Sequence, residues 1–182
     1  KIKQLRSHGI NRDIKRSKLH QFYYEQLQLG FNYRLSDINA ALGVSQLKRI
    51  KNILKKRQNI VNVYKKKLFS RDLFFSNLKN NNYSSNHLFI IRLINKKLII
   101  NQKEIIEYLL KKKILVNIHY YPIYLHPYYK KLGFYKGYCP NAERYYSSSF
   151  TIPVYEKLNS HRINYICKCL RLIFKKFDKK FL

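Results

Sequence analysis

The chain has 182 residues, which is long enough for one domain with a hydrophobic core. Its hydrophobic content of 46% favours a folded protein and argues against an intrinsically disordered one. The net charge of +29 would, taken alone, predict a protein that binds nucleic acid or an anionic membrane.

The overall composition offers a second interpretation of this charge. Lys, Asn, Ile, Tyr and Phe are abundant while Gly, Pro and Trp are scarce, as expected for an AT-rich genome. The lysines are also scattered along the chain rather than gathered in one basic arm. We therefore favour compositional bias and do not expect nucleic acid as a partner, although the field would still attract an anionic small-molecule substrate.

Neither a membrane span nor a secretory leader is evident in the sequence. No apolar run reaches the length of about 20 residues that a membrane helix needs, and the chain does not open on a charged, then apolar, then small-residue pattern. Cys139, Cys167 and Cys169 do not have the spacing of a zinc site. We therefore expect a cytoplasmic protein with reduced thiols and no membrane partner.

The first 29 residues are predicted to be mostly irregular. Residues 1–10 are basic and end near His8 and Gly9. A surface histidine beside a glycine turn is a simpler interpretation of His8 than a contact with a ligand. Residues 11–29 are polar around an aromatic Phe-Tyr-Tyr-Glu phrase, which predicts an irregular loop or a short hairpin.

The next segment, up to about residue 69, is predicted to be a turn followed by one long helix. Residues 30–34 form the turn, Ser36 is a good N-cap, and Asp37 adds negative charge to the first helical turn. Apolar residues then recur every three or four positions. Such a stripe belongs to a core or a subunit interface more often than to a binding groove. The turn itself suits an anionic ligand, but local chemistry alone favours an ordinary capped helix after a tight turn.

The remaining residues alternate between predicted strands and helices. In chain order we predict a loop over 72–85, a strand over 88–95, a helix over 101–113 capped by Asn101 with Glu104 as its capping-box partner, a strand over 114–118, an aromatic loop over 126–138, a helix from Pro140, an edge strand over 150–154 and a final helix capped by Ser160.

Two histidines lie at predicted strand ends, where a side chain can reach a ligand. His87 precedes the strand over 88–95, and we interpret it as structural. His119 leaves the strand over 114–118 beside Tyr120 and ahead of Pro122, so it could hydrogen-bond a ligand while Tyr120 stacks or donates. The residues alone slightly favour a solvent-facing His119 and a packed Tyr120.

Three stretches of the chain resemble motifs of one enzyme family. LGFNYRLSDINAALGVSQLKRI, residues 29–50, is similar to the GYNYR…D-I-x-AALG-x-SQL segment of the DegT/DnrJ/EryC1/StrS family. SSNHLFIIRL, residues 84–93, resembles its S-x-HL-(F/Y) strand, and residues 117–155 resemble its VHY-x-P…PNAE-x-YY…SLP-x-Y tail. Members of this family are pyridoxal-phosphate (PLP) aminotransferases that act on nucleotide-linked keto sugars.

The resemblance implies particular site residues. Asn32 matches the asparagine that reaches the neighbouring subunit's site near the cofactor phosphate, and Arg34 lies in the same motif without a firm role. Tyr124 and His126 replace the family's usual His and Gln, which leaves the exact sugar open. The segment that lines the nucleotide-sugar pocket is matched by four consecutive residues, Asn117, Ile118, His119 and Tyr120.

The resemblance also implies an α+β fold, namely the C-terminal small domain of a fold-type-I PLP-dependent transferase with a long boundary helix. Residues 1–35 would be a remnant of the large cofactor domain and active-site loop, and residues 36–182 the long helix and small domain. In this family a homodimer builds the active sites, and a lysine forms a Schiff base with the cofactor. No lysine here has the family's preceding motif, so we expect a C-terminal part without a catalytic residue of its own.

The implied function is amino transfer from glutamate to a UDP-linked 4-keto-6-deoxy sugar, with PLP as cofactor of the complete enzyme. The alternative, argued from charge alone, is a basic nucleic-acid-binding protein, which would show a steep salt dependence of binding. A third hypothesis is the product of a decayed gene with no present activity.

Overall fold

The computed structural model describes residues 1–11, 24–75 and 84–179, and its contacts divide the chain into two compact units, Lys1–Ile50 and Lys51–Leu182. The boundary between the units falls inside the longest helix. In chain order the elements are α1 (Ile2–Leu5), β1 (Ile10–Asn11), β2 (Glu25–Gln26), α2 (Asp37–Lys67), β3 (Leu73–Phe75), β4 (Phe89–Leu93), α3 (Lys96–Ile100), α4 (Gln102–Lys111), a 3-10 turn (Ile123–Leu125), α5 (Pro127–Lys131), α6 (Pro140–Ser148), β5 (Ser149–Ile152) and α7 (Ser160–Phe177).

The first unit is held together by backbone hydrogen bonds rather than by a core. β1 and β2 pair antiparallel, with Ile10 opposite Gln26. The described part of the predicted loop or hairpin over 11–29 is thus a short antiparallel pair, while residues 12–23 lie outside the described residues. Among the described residues before Lys51, Gly9 alone is buried.

The second unit contains the hydrophobic core, built around an antiparallel sheet of order β3-β4-β5. In the central strand β4, Phe89, Ile91 and Leu93 are buried and alternate with half-buried residues, so one face of the strand packs inward. Helices α4 and α7 and the second half of α2 supply most of the remaining core residues. The Tyr64 hydroxyl of α2 donates to the Pro153 carbonyl oxygen at 3.0 Å, which fixes the chain just after β5.

Several predictions of elements are confirmed. α2 spans the predicted long helix, and the Ser36 hydroxyl accepts a hydrogen bond from the Asn39 amide at 3.4 Å. β4 and α6 lie where they were predicted, with Pro140 in the first turn of α6. β5 lies at the edge of the sheet and ends immediately before Pro153.

The three cysteines are free thiols. None of the described helices is long and apolar enough to cross a membrane.

Two predictions about strands are wrong. Residues 114–118 do not form a strand, because only Asn117 pairs with β5, in an isolated bridge to Thr151. The predicted loop over 72–85 contains β3, which pairs with β4 along three residues. The pairing partner decides both cases, since a short segment forms a strand only where a neighbouring strand accepts its hydrogen bonds.

Two predicted caps differ from the structure, one in its position and one in its hydrogen bond. Asn159, not Ser160, caps α7, because its side-chain oxygen accepts from the Arg162 amide at 2.9 Å. Asn101 lies at the predicted N-cap position of α4, but its side chain donates to the Lys97 carbonyl oxygen at 2.7 Å and accepts no amide of α4. The preceding helix α3 was not predicted, and its own cap is Asn95, whose side chain accepts from the Lys97 amide.

Candidate functional site

A groove of about 870 Å³ runs along the end of β5 in the second unit, and it is large enough for a small-molecule ligand. Its walls combine apolar side chains such as Ile152 and Leu158 with polar and basic groups. We call this cavity the β5 groove. Its polar and basic lining residues include His87, Lys112, Lys113, Asn117, His119, Thr151, Tyr155 and Arg162.

Backbone pairing with β5 positions the first predicted site residue. The Asn117 amide donates to the Thr151 carbonyl oxygen at 3.3 Å, and the Thr151 amide donates to the Asn117 carbonyl oxygen at 2.7 Å. The Asn117 side-chain oxygen accepts from the Ile118 amide at 2.8 Å. This turn directs the chain out of the bridge. It leaves the side-chain Nδ2 atom of Asn117 as the group that can donate to a ligand.

His119 lies against the same strand. Its Nε2 atom is 3.2 Å from the Thr151 hydroxyl oxygen, and that hydroxyl donates to the Asn117 carbonyl oxygen at 3.1 Å. Thr151 is buried, with 7% of its surface exposed. The structure therefore joins Asn117, His119 and Thr151 in one hydrogen-bonded cluster on the wall of the β5 groove.

The other two predicted pocket residues lie outside this lining. Ile118 is half-buried and packs against the hydrophobic core. Tyr120 is exposed, and the centroid of its ring lies 4.8 Å from that of His119 in an edge-to-face contact. The peptide bond between His119 and Tyr120 is cis. Of the four consecutive residues predicted to line the pocket, Asn117 and His119 line the β5 groove in this structure.

Basic side chains give the groove a positive potential. Lys112, Lys113 and Arg162 line it, and His87, which we interpreted as structural, does so as well. The Arg162 guanidinium donates to the hydroxyl of Tyr155, which lines the same groove, at 3.3 Å. A groove with these cations and neutral hydrogen-bonding groups can hold a ligand that carries both an anionic part and hydroxyls.

A hydrogen-bonded clasp holds the aromatic loop that follows His119. The Tyr124 hydroxyl donates to a Glu143 carboxylate oxygen at 2.6 Å and lies 3.1 Å from the Cys139 carbonyl oxygen. The Gly137 amide donates to the same Glu143 oxygen at 2.6 Å. The Tyr124 and Gly137 bonds hold the pKa of Glu143 below its ordinary value, while burial and then the bond to Glu143 raise the pKa of Tyr124 to about 12.

Asn32 belongs to the first unit, where its segment pairs with the residues that follow α1. An isolated antiparallel bridge joins Asn32 to Ser7, and the His8 amide donates to the Phe31 carbonyl oxygen at 2.9 Å. The rings of Phe31 and Tyr33 stack with their centroids 4.8 Å apart. Because side chains alternate along an extended segment, the Asn32 amide points away from that stack, and it is exposed.

The donor chemistry of this turn fits a phosphate. A side-chain amide carries two N–H donors, and the exposed Arg34 guanidinium two residues later carries a fixed positive charge. Phosphate oxygens accept such bonds. The described residues contain no cluster of His, Cys, Asp and Glu that could hold a metal ion.

Sequence reasoning missed Thr151. The signal was a single hydroxyl residue between the apolar neighbours Phe150 and Ile152 in a predicted strand. A buried strand tolerates such a residue where its hydroxyl finds a partner. The partner, His119, lies 32 positions away, so only the folded chain shows the contact.

Comparison with the sequences of known proteins identifies the same family as the three motifs. The model of the DegT/DnrJ/EryC1/StrS aminotransferase family matches residues 1–171. A UDP-4-amino-4,6-dideoxy-N-acetyl-beta-L-altrosamine transaminase of Campylobacter jejuni is 37% identical over 182 residues, which cover 98% of this chain and 46% of the relative. A spore coat polysaccharide biosynthesis protein of Bacillus subtilis is 28% identical and covered to 47%.

Solved structures match the fold. The Helicobacter pylori aminotransferase PseC, involved in the biosynthesis of pseudoaminic acid, aligns with a TM-score of 0.77 and 30% identity over 98% of this chain and 45% of its own. A Streptococcus pneumoniae sugar aminotransferase in its PLP form aligns with a TM-score of 0.78, 28% identity and coverage of 96% and 43%. The chain thus spans about half the length of the relatives that it matches, and its α+β fold is that of a part of these enzymes.

Proposed function

The chain belongs to the DegT/DnrJ/EryC1/StrS aminotransferase family, and we propose that it is the C-terminal part of a PLP-dependent enzyme of nucleotide-sugar biosynthesis. The complete enzyme transfers an amino group from glutamate to a UDP-linked 4-keto-6-deoxy sugar. The observation that carries this proposal is the β5 groove, on whose wall Asn117 and His119 lie together. The altrosamine transaminase of Campylobacter and the pseudoaminic acid aminotransferase of Helicobacter support the sugar chemistry.

The groove suits a nucleotide sugar because such a ligand has two chemically different parts. Its diphosphate is anionic and would bind near Lys112, Lys113 and Arg162, which line one groove with Asn117 and His119. Its hexose carries neutral hydroxyl donors and acceptors, which match the Asn117 amide and the His119 imidazole. The excess of positive charge in the whole chain would also attract such an anion.

The turn at Asn32 would contribute to the cofactor site. Its exposed side-chain amide can donate to a phosphate oxygen of PLP. Bound PLP supplies the electron sink for amino transfer. In this proposal the Schiff-base lysine lies outside the 182 residues, and Asn32 acts by orienting the phosphate rather than by moving a proton.

A second copy of the chain would cover the first half of α2, as expected for a homodimer. Ile38, Leu42 and Leu47 there are 84%, 59% and 69% exposed. Exposed apolar side chains along one helix are costly in water and favour association. A second copy fits because the family motif places Asn32, just ahead of this helix, at the site of a neighbouring subunit.

The test uses the complete product of the gene that encodes this chain. We expect it to show the visible absorbance of bound PLP and to transfer the amino group of glutamate to a UDP-linked 4-keto-6-deoxy hexose. The isolated 182 residues should show neither property. Turnover by the isolated chain would overturn its assignment as a C-terminal part, and a PLP-loaded complete product that rejects UDP-keto sugars would overturn the proposed substrate.

A further inference from the structure

The hydroxyl of Thr151 has two partners, and their chemistry fixes the direction of both hydrogen bonds. It lies 3.1 Å from the Asn117 carbonyl oxygen and 3.2 Å from His119 Nε2. A carbonyl oxygen can only accept, so the single hydroxyl proton points to Asn117. The Thr151 oxygen must then accept from His119, which requires the proton of the neutral imidazole to reside on Nε2.

The second ring nitrogen is consequently a bare acceptor. In the neutral ring with the proton on Nε2, Nδ1 carries a lone pair and no hydrogen. Nδ1 is buried, and no group among the described residues donates to it. A buried acceptor without a donor is unfavourable, so a ligand group that donates to Nδ1 gains affinity there.

We propose that Thr151 is a positioning residue that holds His119 as the Nε2–H tautomer, so that Nδ1 accepts a hydrogen bond from a hydroxyl or N–H group of the ligand. A phosphate oxygen is itself an acceptor and would be repelled by this nitrogen. The inference rests on the proposed function and deepens it, because it places the sugar ring at His119 and the diphosphate at Lys112, Lys113 and Arg162.

The tautomer can be measured without cofactor or substrate. Long-range 1H–15N spectra of the 182-residue chain, recorded at alkaline pH, distinguish the two ring nitrogens. His119 is assigned by the loss of its signals in His119→Gln. We expect the Nε2–H form in the wild type and in Thr151→Ser, and a mixture of both tautomers in Thr151→Val.

Ser149→Ala is the matched control, because it removes a buried hydroxyl from the same strand. The Ser149 hydroxyl donates to the Tyr145 carbonyl oxygen, so its loss should leave the His119 signals unchanged. An Nδ1–H tautomer in the wild type, or an unchanged Nε2–H tautomer in Thr151→Val, would overturn the proposal. Valine has the shape of threonine, and a dispersed backbone spectrum shows that the variant is folded.

Steady-state kinetics of the complete gene product test the ligand side. Thr151→Val, which loses the hydroxyl, should raise KM for the UDP-sugar about three- to tenfold with little change in kcat. Thr151→Ser, which retains a hydroxyl, should have the KM of the wild type. An unchanged KM in Thr151→Val would overturn the ligand role. An inactive complete product would instead count against the proposed function, and the tautomer measurement would still decide the role of Thr151.

Discussion

Gly30 lies where a side chain has no space. A Cβ atom there would come within 2.3 Å of the Gly9 nitrogen and 2.8 Å of the Leu5 carbonyl oxygen, and both are backbone atoms that cannot rotate away. We expect Gly30→Ala to separate the Asn32 segment from the residues after α1. The loss should be about 1–3 kcal/mol in the free energy of unfolding of the first unit, measured from exchange of the His8 and Tyr33 amides.

Gly43 provides the matched control for this prediction. It lies inside α2, and a Cβ atom there would meet nothing within 4 Å. Gly43→Ala should therefore stabilise the helix by up to about 1 kcal/mol through its higher helix propensity. If both variants are equally stable, or if Gly30→Ala leaves amide exchange of the first unit unchanged, the steric argument is wrong.

The hydrogen bond between Tyr124 and Glu143 should make the free energy of unfolding decrease both in acid and in alkali. The pKa of Glu143 is lowered in the folded chain, so its contribution is present above its ordinary value of 4.5 and is lost as the pH falls through the folded pKa. The pKa of Tyr124 is raised to about 12, so its contribution is present below 10 and is lost as the pH rises towards 12.

Tyr124→Phe removes the donor and retains the ring. We expect its midpoint of denaturant unfolding to lie below that of the wild type at neutral pH. The difference should shrink in acid, as Glu143 is protonated, and in alkali, as Tyr124 ionises in the wild type. Tyr135→Phe, at an exposed tyrosine, is the control and should leave the midpoint unchanged. A difference that stays constant across this range would contradict the role of the clasp.

Sequence reasoning named Asn117 and His119, which line the β5 groove, but it missed Thr151 on the same wall. His119 was a candidate because a histidine that leaves a predicted strand ahead of a proline turn can hydrogen-bond a ligand. Its orientation depends on Thr151, which is distant in sequence and becomes a neighbour only through the bridge between Asn117 and β5. Ile118 and Tyr120 followed from the family motif, and whether they bind substrate stays a prediction.

Elements with a regular apolar pattern could be predicted, including β4 and β5, whereas two short segments whose structure depends on a pairing partner could not. α2 and α7 show an apolar residue every three or four positions, and the structure places both where expected. β3 has three residues and forms because β4 lies beside it. The predicted strand over 114–118 has the right composition, but it meets β5 at one bridge only.

The start of α7 allows a direct comparison of two adjacent residues. Asn159 accepts from the Arg162 amide, whereas Ser160 is the first helical residue. Asn159→Ala should lower the free energy of unfolding by about 1 kcal/mol, because one amide at the helix start loses its acceptor. Ser160→Ala should change it by a few tenths at most, measured by urea denaturation. If Ser160→Ala lowers the free energy of unfolding more than Asn159→Ala does, Ser160 is the cap of α7 instead.

At the scale of the whole molecule, the core and the candidate ligand groups are distributed unevenly. Every buried hydrophobic residue among the described ranges lies between Ile60 and Phe174. The first unit instead exposes large apolar side chains, including Leu29, Leu35 and Ile38. Since burial of apolar surface is the main stabilising term, the second unit supplies most of the stability of the isolated chain.

This difference predicts a gradient of amide exchange along a single helix. The half of α2 before Lys51 contains no buried residue, whereas Ile60, Val61 and Tyr64 in the second half belong to the core. Amides of the first half should therefore open locally and exchange on the order of tenfold faster or more, while those around Tyr64 exchange only by global unfolding.

The same exchange measurement, repeated at rising protein concentration, tests the homodimer. If a second copy covers Ile38, Leu42 and Leu47, protection of the first half of α2 should increase with concentration, because association stabilises the paired state. Leu42→Ser and Leu47→Ser together should abolish that increase, whereas Lys48→Ser on the same helix should not. Equal protection along all of α2 at low concentration would contradict the gradient, and protection independent of concentration would contradict association through this half of the helix.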